Sequence, residues 1–214
     1  MTDNKTCPLM VFCDFDGTIT VNETLRGMFV QWLPQQAPAI LARLDAGQLS
    51  LRQALIDLTA LLPSDCRERM SQQILLEPMH AGFDRFVEFL HQRDIPLVIL
   101  SSGLDFYILT KLQPWLDKIH AVHALRTEID GEHLRLVLPY DDAREAMPKA
   151  TVMASYRADF NIAIGDSMSD FQIAQQADLV FARDKLLAHM QGQTKVCAWR
   201  DFDDIQQQLR SKLD

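Results

Sequence analysis

The sequence predicts an α/β fold, a parallel sheet covered by helices on both faces with a small helical cap inserted after the first strand. Three observations predict it. Short apolar runs alternate with amphipathic helical stretches along the chain, the pattern of strands that are buried on both faces. Several of those runs end in carboxylates, hydroxyls or glycine. The segment between the first and second runs, residues 21–80, reads as helix throughout and is too long for a simple crossover.

Residues 9–13, "LMVFC", form the first predicted strand, and Asp14 and Asp16 follow it directly. From residue 21 to 80 the periodicity is helical, and Pro34, Pro38, Pro63 and Pro78 divide it into pieces. Within it "SLRQALIDLTALL" places Ser50 ahead of apolar residues at helical spacing, so Ser50 is the expected N-cap. Residues 82–94 predict an amphipathic helix, and residues 95–103, "IPLVILSSG", a second strand. A helix over 104–115, a third strand over 119–124 and a hairpin over 127–138 turning at Asp130-Gly131 follow. A helix near 148–158 leads to a fourth strand that opens the acidic stretch "NIAIGDSMSD". Residues 178–184 and 195–199 supply two more strands before a C-terminal helix. The expected organisation is a Rossmann-like core made of residues 1–20 and 81–214, with residues 21–80 as the cap.

Bulk composition narrows the function. With 214 residues, 48% hydrophobic and 23% charged, the chain has the make-up of an ordinary globular protein. No apolar run approaches the length of a membrane span, and the N-terminus lacks the features of a signal peptide, so a cytoplasmic location is expected. Cys7, Cys13, Cys66 and Cys197 lie far apart, as reduced thiols do. The net charge of −8 without any basic stripe argues against nucleic acid as a partner.

A strand that belongs in the interior ends in two carboxylates, and an isolated buried carboxylate costs several kcal/mol unless it is paired, protonated or bound to a metal. Strand ends of an open α/β sheet gather at one edge, where ligands bind. That edge collects Asp14, Asp16, Thr18, Ser101, Ser102, Gly103, Asp166 and Asp170, and Lys149 lies just ahead of the fourth strand. In extended chain Asp14 and Asp16 point the same way. With Asp166 they form an oxygen cluster suited to a hard cation such as Mg²⁺. The hydroxyls of Thr18 and Ser101, the N–H groups near Gly103 and the Lys149 ammonium suit an anion. Carboxylates repel a phosphate, and a divalent cation plus a lysine offset that repulsion. Phosphoryl transfer on a small phosphorylated metabolite is the chemistry that makes these charges tolerable.

The ordered set "DFDGT", Ser101, Lys149 and "GDSMSD" resembles the haloacid dehalogenase superfamily of phosphatases, and it spans residues 14–170. The cap inserted between the first two motifs resembles the subfamily that contains phosphoserine phosphatase. "CDFDGTIT", "LLPS", "IGDSMSD" and "FARDKLL" are similar to the phosphatases that act on 2-hydroxy-3-keto-5-methylthiopentenyl 1-phosphate in methionine salvage. The resemblance implies that Asp14 attacks phosphorus to give an aspartyl-phosphate and that Asp16 serves as acid and then base. It also implies that Asp14, the Asp16 backbone carbonyl and Asp166 hold Mg²⁺, with Asp170 behind Lys149 or the metal. Thr18, Ser101, Ser102, Gly103 and Lys149 would hold the phosphoryl oxygens.

Two departures bear on the substrate. The salvage enzymes carry a cysteine-rich insert before the catalytic lysine, and "LPYDDAREAMPKA" has no cysteine. Phosphoserine enzymes place an arginine on a cap helix, whereas "RQALIDLTALL" offers only Arg52 at its start. Glu23 does match the acidic position that faces the substrate amine in those enzymes. The helix "LRQALIDLTALL" is largely apolar toward one face and offers apolar contacts more readily than a carboxylate clamp, so the salvage intermediate is the leading substrate. Phosphoserine, a phosphotransferase of the same superfamily and an inactive binding module of the same fold are the alternatives. Taken singly, each residue has a plainer reading: Asp-Gly as a turn, the serines and Asp170 as helix starts, Lys149 on the surface, Glu23 exposed or capping. The ordered set outweighs those readings.

Overall fold

The structure is a computed structural model, and it describes residues 7–138 and 145–213. Residues 1–6 and 214 of the expected core lie outside the described residues, as does 139–144, which holds most of the cysteine-free stretch before Lys149. Among the described residues seven strands form one sheet in the order β4-β3-β2-β1-β5-β6-β7. They are β1 (Met10–Cys13), β2 (Leu97–Leu104), β3 (Ala121–Asp130), β4 (His133–Val137), β5 (Asn161–Gly165), β6 (Leu179–Ala182) and β7 (Val196–Ala198). Every neighbouring pair is parallel except β3–β4. β1, at the centre between β2 and β5, is buried along its whole length. Strands without a solvated face need apolar residues at every position, which is why "MVFC" and "LVIL" do not alternate.

The helices between β1 and β2 are α1 (Thr24–Trp32), α2 (Ala37–Asp45), α3 (Leu51–Leu61), α4 (Cys66–Leu76) and α5 (Phe83–His91). The first four make up the helical insert. Ser50 caps α3 as expected, its hydroxyl accepting the Gln53 N–H at 3.1 Å. After β2 come α6 (Asp105–Leu112), α7 (Lys149–Ala154), α8 (Phe171–Gln176), α9 (Asp184–His189) and α10 (Phe202–Leu213). Pro114 falls where α6 gives way to a 3-10 turn at Gln113–Trp115, so the expected helix over 104–115 is shorter in its α part.

Among the described residues, two sets of backbone hydrogen bonds help fix the insert on the core. Its two connecting segments run side by side: the Val21 N–H donates to the Pro78 carbonyl at 2.9 Å and the His80 N–H to the Ile19 carbonyl at 3.0 Å. At its other end the α3–α4 turn meets the β3–β4 hairpin. There the Ser64 N–H donates to Glu132 at 2.8 Å and the Leu134 N–H to Leu62 at 3.0 Å.

Two expectations need correction. The third strand and the first arm of the hairpin are one continuous strand, β3, because Leu125 pairs onward with Leu104 and the ladder to β4 starts at Arg126. The second strand does not stop at Gly103. It runs on to Leu104, and α6 starts only at Asp105. No helix among the described residues is long and apolar enough to cross a membrane.

Candidate active site

The site is built from the C-terminal ends of β1, β2 and β5. Residues 14–20 leave β1 as a tight loop in which the Ile19 and Thr20 N–H groups donate to the Phe15 carbonyl at 2.8 and 3.0 Å. Gly17 takes φ +80°, and a Cβ there would lie 2.6 Å from an Asp166 oxygen. The glycine of "DFDGT" is therefore required twice, by its backbone angle and by the close approach of the β5 loop.

Asp14, Lys149 and Asp170 form a buried triad. The Lys149 ammonium donates to Asp14 Oδ1 at 2.5 Å and to Asp170 Oδ1 at 2.6 Å. Asp170 Oδ2 in turn accepts the N–H groups of Asp166 and Ser167, each at 3.3 Å. Burial alone would lower the Lys149 pKa, but the flanking carboxylates outweigh it and hold the ammonium above its ordinary value. Burial and the nearby charge of Asp170 push Asp14 up, and Lys149 opposes them. Asp166 is pushed up to about 6, first by burial and then by Asp170.

Asp16 belongs to a separate hydrogen-bonded group. The Tyr107 hydroxyl donates to Asp16 Oδ2 at 3.2 Å. The Thr24 N–H donates to Oδ1 at 3.2 Å, and the Thr24 hydroxyl donates to the same oxygen. Burial raises the Asp16 pKa to about 7, against the opposing hydrogen bonds. The two carboxylates of "DFD" thus sit in different surroundings, one on an ammonium and one on hydroxyls.

Asp14, Asp166 and Asp170 each offer an oxygen within 4.8 Å of the other two, and all three are buried. An all-carboxylate donor set suits a hard cation. Asp14 and Asp166 fit the role of ligands. Asp170 has both oxygens committed to Lys149 and the backbone, which suits support of the lysine.

A cavity of about 410 Å³ lies over this group. Its floor includes Asp14, Asp16, Ser101, Ser102 and Lys149, with Ser167 and Ser169 at the side. Its roof is apolar and comes from the insert: Leu25 and Phe29 of α1, Leu41 and Leu44 of α2, Leu55 and Leu58 of α3. Glu23, Arg26 and Lys185 also line it.

Of the residues expected at the strand edge, Asp14, Asp16, Ser101, Ser102 and Lys149 line the cavity, as does Glu23; Asp166 and Asp170 cluster with Asp14 without lining it, and Thr18 and Gly103 are engaged elsewhere. Thr18 is fully buried and its hydroxyl donates to Asp166 Oδ1 at 3.1 Å, so it holds a carboxylate and does not reach the cavity. Gly103 offers no open N–H to an anion, because that group donates to Ser101 Oγ at 3.0 Å. Its lack of a side chain serves another purpose, since a Cβ would lie 2.1 Å from the Tyr107 hydroxyl. Tyr107 and Thr24 were not singled out from the sequence. Their signals were faint: an aromatic four residues after a glycine, and a threonine eight residues after Asp16.

Comparison with known proteins agrees with this geometry. The pattern of the haloacid dehalogenase-like hydrolase family matches residues 11–175. A 2-hydroxy-3-keto-5-methylthiopentenyl-1-phosphate phosphatase from Microcystis aeruginosa is 35% identical over 203 residues, covering 94% of this chain and 97% of its own. A protein of the same name from Bacillus cereus is 29% identical over 215 residues, covering 96% and 98%. Among solved structures, a phosphoserine phosphatase from T. onnurineus shares the fold with a TM-score of 0.68 at 15% identity, covering 98% of both chains. The match over most of the chain, together with the strand-edge carboxylates and lysine, means that the chain belongs to the haloacid dehalogenase-like hydrolase family, among its phosphatases.

Proposed function

We propose that this protein is a Mg²⁺-dependent phosphomonoesterase that works through an aspartyl-phosphate and acts on 2-hydroxy-3-keto-5-methylthiopentenyl 1-phosphate. The observation that carries the reading is the cavity itself, a floor of carboxylates, serines and one lysine under an apolar roof. Asp14 and Asp166 would hold the cation, which supplies charge neutralisation between the carboxylates and a phosphate.

Asp14 lies at the end of β1 with its oxygen fixed by Lys149 at 2.5 Å, oriented for attack on phosphorus. Lys149 and the serines at the end of β2 offer donors to the phosphoryl oxygens. Asp16, kept two residues away and raised to about 7, suits a group that must give a proton to the leaving oxygen and then take one from water. Thr18 and Asp170 hold Asp166 and Lys149 in place. We assign residues 21–80 as the cap that closes the site and excludes water from the intermediate. A cytoplasmic location belongs to the same reading, and the four free cysteines support it.

The roof decides between substrates. An apolar tail gains about 0.8 kcal/mol per buried methylene against such a surface. The ammonium and carboxylate of phosphoserine would have to be desolvated there and need paired charges. Glu23 could meet the ammonium, but Arg26 is closed on Asp45 by two bonds of 3.0 and 2.6 Å. Arg52 turns to the Glu145 carbonyl at 3.4 Å and does not line the cavity. The test is kcat/KM for the salvage intermediate and for phosphoserine on one preparation. An advantage of tenfold or more for phosphoserine, about 1.4 kcal/mol in transition-state binding, would overturn the assignment.

A further inference from the structure

We propose that Lys185 is a substrate-recognition residue whose ammonium binds a carbonyl, hydroxyl or enolate oxygen on the carbons next to the phosphoester. The proposal rests on the phosphatase reading above and deepens it. It implies a substrate class: a phosphate monoester that is oxygenated near the ester and apolar beyond.

Among the described residues three cationic side chains line the cavity, Arg26, Lys149 and Lys185. Two have partners of their own. Lys149 is held between Asp14 and Asp170 and is the donor we assign to the phosphoryl oxygens. Arg26 forms an exposed ion pair with Asp45. Lys185 is exposed, and among the described residues it forms no ion pair. Its charge is felt at Asp45, which the Arg26 hydrogen bond above all, and Lys185 more weakly, holds below the usual carboxylate range. Lys185 therefore lines the cavity with no side-chain partner among the described residues.

The backbone that carries Lys185 is held firmly. Asp184, just before it, takes φ +46°, which aspartate tolerates better than most non-glycine residues. Two backbone bonds flank this turn. The Arg183 N–H donates to the Gly165 carbonyl at 3.2 Å, and the Leu186 N–H donates to the Asp166 carbonyl at 2.9 Å. Arg183 itself is occupied by Asp184 at 2.8 Å and by the His80 ring. The turn that presents Lys185 thus hangs from the same loop as Asp166, and α9 packs against the turn at Met168–Asp170.

This placement sorts the cavity into two parts. Lys185 is carried on a turn bonded to the Asp166 loop, while most of the apolar lining belongs to α1, α2 and α3, with Met168 added from the core side. A substrate whose phosphate sits on the floor presents its first carbons to Lys185 and its tail to the roof. An ammonium has three donors and no acceptor, which selects oxygen acceptors at those carbons.

The test is calorimetric binding to protein carrying Asp14→Asn, which blocks turnover, in Mg²⁺ buffer. The probes are the phosphate ester of 1-hydroxypentan-2-one and pentyl phosphate, which share chain length and phosphate and differ by one carbonyl. Adding Lys185→Met should weaken the keto ester about tenfold to a hundredfold and leave pentyl phosphate within about twofold. Lys185→Arg should restore most of the loss. Equal weakening of both esters, no weakening of either, or no binding of the keto ester to protein that retains Lys185 would overturn the proposal. Turnover of 4-nitrophenyl phosphate by the unsubstituted enzyme reads the parent assignment separately. If turnover is present and discrimination fails, only Lys185 falls. If turnover is absent and discrimination holds, the phosphatase mechanism falls and Lys185 stands as a ligand contact.

Discussion

Replacing Lys149 with methionine should destabilise the protein far more than a surface charge change would, and Mg²⁺ should reverse much of the loss. Methionine keeps the length and apolar stem of the side chain and removes only the charge and its donors. The lysine side chain is 3% exposed, and those of its partners Asp14 and Asp170 are 5% and 1% exposed. Solvent therefore reaches the triad only from the cavity that Asp14 and Lys149 line. Removing one partner of a buried ion pair typically costs about 3–5 kcal/mol, because the remaining charge is left desolvated. For a domain of this size each kcal/mol moves Tm by about 2–4 °C, so the expected drop is about 6–20 °C.

The assay is scanning calorimetry with parallel urea titration, first in EDTA and then in Mg²⁺. The cation should stabilise the variant more than the parent, since the carboxylate freed at Asp14 is one we assign to metal binding. Adding Asp170→Asn to the variant should recover part of the stability by removing one of the two unpaired carboxylates. A Tm change below about 2 °C in EDTA would refute the reasoning, because it would mean that desolvation of the triad already cancels its attraction.

Three further outcomes are expected. Asp14→Asn should abolish turnover while far-UV circular dichroism stays native, and near-normal hydrolysis by a sample checked for amide reversion would contradict the nucleophile assignment. EDTA should silence the enzyme and Mg²⁺ restore it, with Asp166→Ala raising the Mg²⁺ needed for half activity; full activity in metal-free buffer would count against the metal site. Gly103→Ala should cost about 1–3 kcal/mol and displace Tyr107 from Asp16, because the new Cβ lies 2.1 Å from the Tyr107 hydroxyl. Tyr107→Phe in the same chain should relieve the clash in urea titration, and no relief would show that the overpacking lies elsewhere.

The strand-edge residues were legible because each follows its own apolar run. Asp14 after "LMVFC", Ser101 after "LVIL" and Asp166 after "NIAIG" need only the rule that parallel strands end at one edge. The orientation of a side chain within that edge was not legible. Thr18 has the right chemistry for a phosphate, but the left-handed turn at Gly17 brings the β5 loop so close that its hydroxyl meets Asp166 first. Tyr107 reads as one more apolar residue of a helix until α6 is seen to return across the end of β2. The helices of the insert were visible by period, and Ser50 by its cap, yet period does not say which face covers the strands. Nor does it say that Asp45, nineteen residues on, will pair with Arg26.

The coupling of Asp16 to the insert follows from the same contacts. Thr24 is the first residue of α1, and it bonds the Asp16 carboxylate through both its N–H and its hydroxyl. Glu23, which caps that helix without a side-chain bond, and Leu25, which begins the apolar roof, flank it directly. The residues we assign to the organic part of a substrate and the residue that bonds the carboxylate we assign to acid–base work are thus consecutive in sequence. The segment that carries them is tied to the core at the paired connectors beside Val21 and Pro78 and at the hairpin beside Leu62 and Ser64. A ligand that shifts the start of α1 must also shift the donors on Asp16. In the mechanism we propose, binding energy from parts of the substrate remote from phosphorus would act on the proton-transfer geometry and so raise kcat and not only affinity.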